Sequence, residues 1–304
     1  MIDPGKKRIF TARNITLYLF LLPAVIYYFV FHYMPMYGAL IAFQDFNPFR
    51  GMSGSPWVGF KHFKDFFNGV YFFRLLRNTA LLSIYGLVFG FPMPVIFALL
   101  LNEVKSRRFR SVIQTLSYMP HFVSTVILCG FVVQFLAPNT GLIARMIEKI
   151  AGEPVNILYR AEWFRTIYIG SGIWQGIGWG SIIYFAALTS INPSLYEAAD
   201  MDGASRIQKI AHISLPGLIP TMATLLILDL GRLLNVGYEK VILLYNTSTY
   251  ETADIISTYV YRSGLISQQY SFAAAVGLFN SAVGLVLVIS SNYVSRRAAN
   301  QSLW

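Results

Sequence analysis

Long apolar runs separated by shorter polar stretches dominate the chain: about Leu17 to Tyr33, Thr79 to Leu101, Pro120 to Leu136, Ile167 to Ser190, Leu218 to Leu234 and Phe272 to Val294. Each run holds roughly 17 to 24 residues, and at 1.5 Å of helix per residue that length matches a hydrocarbon core about 30 Å thick. One such run reads equally well as a buried helix of a water-soluble domain. Six of them in 304 residues do not. The pattern predicts an all-α polytopic membrane protein with six transmembrane helices, because helices satisfy their own backbone in lipid. It divides the chain into an N-terminal segment (residues 1–14), a six-helix domain (15–295) and a tail (296–304).

Composition supports that division. The chain is 55% hydrophobic and only 12% charged, too little polar surface to cover a globule. Its net charge of +10 raises the question of nucleic acid. Topology accounts for the charge better. With both termini cytoplasmic, the short inner segments hold Lys6, Lys7, Arg8, Arg13, Lys105, Arg107, Arg108, Arg110, Arg206, Lys209, Arg296 and Arg297, half of the 24 basic residues. Their density against the span ends obeys the positive-inside rule. Arg74 and Arg77, before the second span on the outer side, run against it and read as an interfacial, snorkelling stretch. The first run follows basic residues as a secretory signal would, but it is long and no small-x-small cleavage site follows, so it reads as a retained span with the mature chain starting near Met1. The single cysteine, Cys129, lies within the third run and excludes an intrachain disulfide.

Proline and glycine mark the expected irregularities. Pro92 and Pro94 predict a kink in the second span. In the fourth, Gly172, Gly176 and Gly180 fall on one helix face, a stripe that lets another backbone approach closely; Ala273, Gly277, Ser281 and Gly284 repeat the device in the sixth. The outer connections, about 44–78, 137–166 and 235–271, are too short for a sizeable folded domain.

Between the fourth and fifth spans stands YEAADMDGASRIQKIAHISLP, residues 196 to 216. Ala198, Ala199 and Ala204 favour helix, and Asn192-Pro193-Ser194 offers a helix start. Gly203 interrupts that helix, and Pro216 with Pro220 marks the entry to the fifth span. The segment, about 190–216, therefore reads as a short helix, a bend and a second amphipathic piece at the cytoplasmic face, with a small alanine face suited to a partner's groove.

Spelled out, Glu197-Ala198-Ala199, three residues, Gly203, nine residues and Ile213-Ser214-Leu215-Pro216 resemble the EAA motif of the membrane subunits of ATP-binding-cassette importers. The form AADMDGAS is similar to their carbohydrate-uptake branch. HYMPMYGALIAFQDFNPFRG (32 to 51) with WVGFKHF (57 to 63) resembles the outer segment of the LplB-type oligosaccharide permeases, so the likeness covers nearly the whole chain. The resemblance implies the type I importer transmembrane fold in a bacterial cell membrane, with a cytoplasmic coupling helix carrying Glu197, Ala198, Ala199, Asp202, Gly203 and Ala204. It further implies a second homologous permease subunit in a heterodimer, two ATPase subunits and an external solute-binding protein that delivers an oligosaccharide. The sequence has no GxxxxGK loop followed by Ser or Thr, so the chain itself carries no cofactor, and ATP with Mg falls to the ATPase partner.

Catalytic readings are poor. His32, His62, His121 and His212 are scattered without metal-ligand spacing, GMSGS at 51–55 misses the nucleophile elbow, and Gln175 breaks a GxGxxG reading of the fourth span. Polar groups within or beside the spans are the pathway candidates: Trp174, Gln175, Asp229, Arg232, Asn235, Tyr238 and Asn280 offer the stacking faces, amides and charges that bind sugars. Asp229 and Arg232, three apart, also suit an ion pair with each other. Gly231 and Gly237 suggest an unwound stretch between them. An ion-coupled secondary transporter using Asp229 is the alternative function, and a membrane-embedded enzyme the third; neither needs a docking helix for a cytoplasmic motor. The outer side leans slightly cationic, which favours an acidic oligosaccharide.

Overall fold

A computed structural model describes residues 12–152, 156–231 and 236–299. Among these residues the repeating structure is helical, apart from one isolated bridge between Gln44 and Trp57. The main elements are α1 (Ile15–Phe43), α2 (Lys61–Phe67), α3 (Phe72–Asn102), α4 (Arg107–Phe122), α5 (Thr125–Leu136), α6 (Leu142–Ala151), α7 (Ala161–Thr189), α8 (Pro193–Met201), α9 (Arg206–Leu230), α10 (Tyr238–Leu244), α11 (Ile256–Tyr261) and α12 (Tyr270–Ala299).

Four of these, α1, α3, α9 and α12, are long and apolar enough to cross a membrane. The pair α4 and α5, bent by 103°, has the length and apolar character of a fifth if the two halves count as one span. The sixth expected span is α7, whose 29 residues extend about 44 Å at 1.5 Å each. Its four internal glycines from Gly170 to Gly178, with Trp174, Gln175 and Trp179, dilute its apolar character, which is why length alone identifies it.

Three boundaries differ from the sequence reading. The second span begins at Phe72, so Arg74 and Arg77 lie on α3 itself. Arg74 reaches the buried Asp254, and Arg77, itself exposed, donates to the Glu251 carbonyl. The third span is not one rod from Pro120 to Leu136. Pro120 sits in a 3-10 turn, Ser124 restarts the helix by accepting from the Ile127 N–H, and the chain turns sharply between them. The fifth span does not wait for Pro216; α9 runs continuously from Arg206 because a π turn over Ile210–Ser214 absorbs the donor that proline lacks. A second π turn, Gly86–Gly90, precedes Pro92 and Pro94 in the same way, so α3 continues as one helix through the point where the kink was expected.

Packing is concentrated between α3 and α7. Val95, Ala98, Tyr184 and Leu188 close with Leu218 of α9 into the inner cluster. Leu82, Cys129, Phe164, Val241, Leu244 and Ile255 form a second. Phe66, Leu75, Ile256 and Val276 form a third beneath α2. The expected glycine stripe is only partly a packing device: a methyl added at Gly180 would sit 3.0 Å from Pro94, but one at Gly176 would meet open space. The tightest approach is at Gly178, outside the stripe, where a methyl group would overlap the Ser117 carbonyl of α4. By contrast α1 is exposed at every position from Ile15 to Tyr37, and its last part, Met34–Phe43, packs against α12.

Candidate functional site

The polar segment between α7 and α9 is a closed elbow built from short-range hydrogen bonds. Asn192 caps α8 by accepting from the Ser194 N–H, with Pro193 at the first helical position where its missing donor costs nothing. At the other end Ala204 N–H donates to the Ala199 carbonyl (2.8 Å) and Gly203 N–H to Asp200 (3.1 Å), the bond pair of a Schellman stop. That stop needs a left-handed residue, and Gly203 supplies φ +74°. Ser205 then opens α9 with a reciprocal capping box to Gln208. Lys209 pairs with Asp200 across the corner, and the Tyr196 hydroxyl meets Ser214 Oγ at 2.9 Å, tying α8 to the π turn.

The structure brings all six coupling candidates onto this elbow. Glu197, Ala198, Asp202 and Gly203 are exposed, while Ala199 and Ala204 are half-buried. Sequence reasoning missed the apolar side chains beside them: Met201 is 89% exposed and Ile207 79%, with Leu195 also exposed. Hydrophobic groups held out from a rigid polar corner are what a docking helix presents to a groove. Their signal was available in the spacing of Leu195, Met201 and Ile207 around the alanines.

A second polar assembly lies buried in the part of the chain that the sequence reading places outside. Asp254 is fully buried and accepts from Arg262 (2.7 and 3.2 Å), Thr258 (2.8 Å) and Arg74 (3.5 Å). Asn78, also fully buried, donates to the carbonyls of Glu251 and Asp254 and accepts from Arg165. Burial alone would lower the Arg262 pKa, but the hydrogen bonds and charge of Asp254 reverse it and hold the guanidinium above its ordinary value. Arg262 therefore stays charged, stacked near the rings of Tyr250 and Tyr259. None of this was read from the sequence; the two outer arginines that defied the charge rule were its trace.

The pathway candidates separate. Gln175 donates to the Val123 carbonyl (2.9 Å), satisfying backbone freed at the bend between α4 and α5. Trp174 borders an almost wholly apolar cavity of 460 Å³ against α5 and α6. Asp229 borders a 470 Å³ cavity with Tyr168, Tyr184 and Ser83. Tyr238 and Asn280 do meet, on a 600 Å³ cavity shared with Tyr261, Tyr270 and Ser281, where the Asn280 side-chain oxygen is buried without a hydrogen bond. Arg232 and Asn235 lie outside the described residues, as does the Arg232 end of the proposed pair with Asp229. Gly231 closes the helix of α9 and Gly237 caps α10.

Comparison with known proteins follows the same lines. The profile of the family described as binding-protein-dependent transport system inner membrane component matches residues 90–300. The chain is 44% identical to protein LplB of Bacillus subtilis (strain 168), over 96% of this chain and 92% of that one. It is 46% identical to the polygalacturonan/rhamnogalacturonan transport system permease protein YteP of the same organism, over 95% and 90%. Among solved structures it resembles a chain of a bacterial alginate ABC transporter in complex with alginate pentasaccharide-bound periplasmic protein, with a TM-score of 0.89 and 46% identity over 99% of this chain and 100% of that one. A chain of a bacterial ABC transporter involved in the import of the acidic polysaccharide alginate gives 0.87 and 48%, over 94% and 97%.

Proposed function

The chain belongs to the binding-protein-dependent transport system inner membrane components, and we propose that within that family it is the permease subunit through which an oligosaccharide crosses the cell membrane, driven by ATP hydrolysed on other chains. The single observation that carries this reading is the elbow: a capped, outward-held corner of Glu197, Ala198, Ala199, Asp202, Gly203 and Ala204 with Leu195, Met201 and Ile207 exposed beside it. An ion-coupled transporter needs no such corner. Residues 15–295 form the permease domain, residues 1–14 and 296–304 face the cytosol, and two ATPase subunits holding ATP and Mg seat against the elbow.

A second homologous permease completes the pathway. Its need is expressed in α1, an apolar helix exposed from Ile15 to Tyr37. The solute-binding protein docks from the outside and delivers the sugar. Tyr238 and Asn280 are the favoured sugar contacts, since the unpartnered Asn280 oxygen and the surrounding tyrosines match the amide and aromatic chemistry of carbohydrate sites. Gln175 serves the bend instead.

The test is ATP turnover by the assembled complex in proteoliposomes with loaded binding protein. Glu197→Lys is expected to leave the permease in the membrane and abolish sugar-stimulated hydrolysis. Stimulation at the unmodified level in that variant, or sugar uptake without any ATPase chain, would overturn the assignment.

A further inference from the structure

Lys240 is a cation without a carboxylate. Its ammonium donates to the Tyr168 carbonyl at 2.7 Å and stands 4.6 Å from the centre of the Tyr168 ring. Among the described residues the ion pairs within 4.0 Å are Arg74–Asp254, Arg262–Asp254 and Lys209–Asp200, so no acid side chain neutralises it. A lysine has three donors, and one carbonyl leaves the others to be satisfied. Ionisable groups held among membrane helices are costly, and those that persist pair with a partner or face a water-filled path.

Lys240 borders a 300 Å³ cavity whose walls include Gly90, Pro94, Tyr168, Gly176 and the apolar Ile173 and Ile177. Gly86, Gly90, Pro94 and Tyr168 also border the 470 Å³ cavity, so the two spaces adjoin along α3 and α7. Their volumes fall in the range of small-ligand sites. Room for the charge depends on Gly172, where an added methyl would come within 3.2 Å of the Lys240 nitrogen. Two residues earlier on α10, Tyr238 borders the cavity that holds Asn280, so α10 stands between the amide-bearing space and the cationic one.

We propose that Lys240 is a specificity-determining residue inside the permease, taking the carboxylate of a uronate-containing oligosaccharide as it passes α10. The Tyr168 carbonyl and ring fix the ammonium, and the substrate carboxylate accepts a hydrogen bond from one of its remaining N–H groups. A charge-assisted bond of this kind is stronger than a neutral one and is lost when the carboxylate is replaced by a hydroxymethyl group. The inference rests on the importer reading above, and adds the chemical class of its cargo and the residue that reads it.

The experiment compares a short all-uronate oligosaccharide with its carboxyl-reduced counterpart. Binding of each to the complete complex in nanodiscs is measured directly, for the unmodified protein, Lys240→Met, Lys240→Gln and Lys240→Arg. The unmodified complex should prefer the uronate, Met and Gln should each cut that preference about tenfold, and Arg should keep most of it. A merely structural lysine would change both affinities together and leave the ratio fixed, which would overturn the proposal, as would an unmodified complex without preference for the acid. ATP-driven uptake, measured on the same preparation with loaded binding protein, tests the importer reading separately: uptake with no uronate preference sinks only the role of Lys240, whereas no ATP-dependent uptake of either sugar sinks both.

Discussion

Around Gly203 the hydrogen bonds of the elbow join residues no more than 18 apart in the chain, whereas around Asp254 they span 174 to 180 residues for Arg77 and Arg74 and 173 and 176 for Asn78. The inner assembly is exposed and made of caps and a stop; the outer one is buried and made of charges drawn from α3, α7 and the stretch before α12. The contrast teaches where each gets its rigidity. The elbow is rigid because its own sequence dictates its turns, and it stays open to a visitor. The outer assembly is rigid because unpaired charges in it are costly, so it locks distant segments together and leaves little of itself exposed.

The sharpest way to break the contrast is at Asp254. Asp254→Ala leaves Arg74 and Arg262 without their acid, and removing one partner of a buried pair costs about 3 kcal/mol or more. We expect a marked loss of folded protein in detergent, read from the thermal unfolding midpoint; an unchanged midpoint would mean the outer assembly is ornamental. Gly178→Val comes next, because its side chain must displace the Ser117 backbone, with an expected loss of about 1 to 3 kcal/mol, while Gly176→Ala faces open space and should be neutral in the same assay.

Gly203→Val tests the elbow itself. Forcing a branched residue into the left-handed region costs about 1 to 2 kcal/mol locally. The unfolding midpoint should barely move, and the sugar-stimulated ATPase should fall to its basal level; a loss of folding without loss of coupling would reverse the assignment. Ser205→Ala is the smallest change, removing one cap worth about 1 kcal/mol. It should fray the start of α9, seen as faster amide exchange at Gln208, with coupling only reduced.

The same contrast explains what the sequence made legible. The presence of long helices and the elbow's turn follow from local rules, namely apolar runs, Asn192-Pro193 and a glycine where the chain must turn left-handed, while the six coupling residues follow from the resemblance to the EAA motif. The bend between α4 and α5 did not, because Pro120 and Ser124 mark a break only once Gln175, 52 residues away, is seen to satisfy Val123. Arg74 and Arg77 looked misplaced on charge counting for the same reason, their partners being more than 170 residues downstream. The continuous helix through Pro216 was hidden by a π turn, which no local propensity announces. The candidate pathway residues scattered over several cavities because types of side chain, read without a register between α7, α10 and α12, say nothing about which of them share a wall.

The nakedness of α1 carries a thermodynamic consequence. A helix so exposed from Ile15 to Tyr37 draws only part of its support from its own chain and the rest from whatever covers it. Stability measured on the isolated polypeptide is then a function of how much companion subunit and lipid is supplied, rising with their concentration as any linked association must. Purification alone, by diluting those companions, should cost this protein more than a mutation at most of its surface.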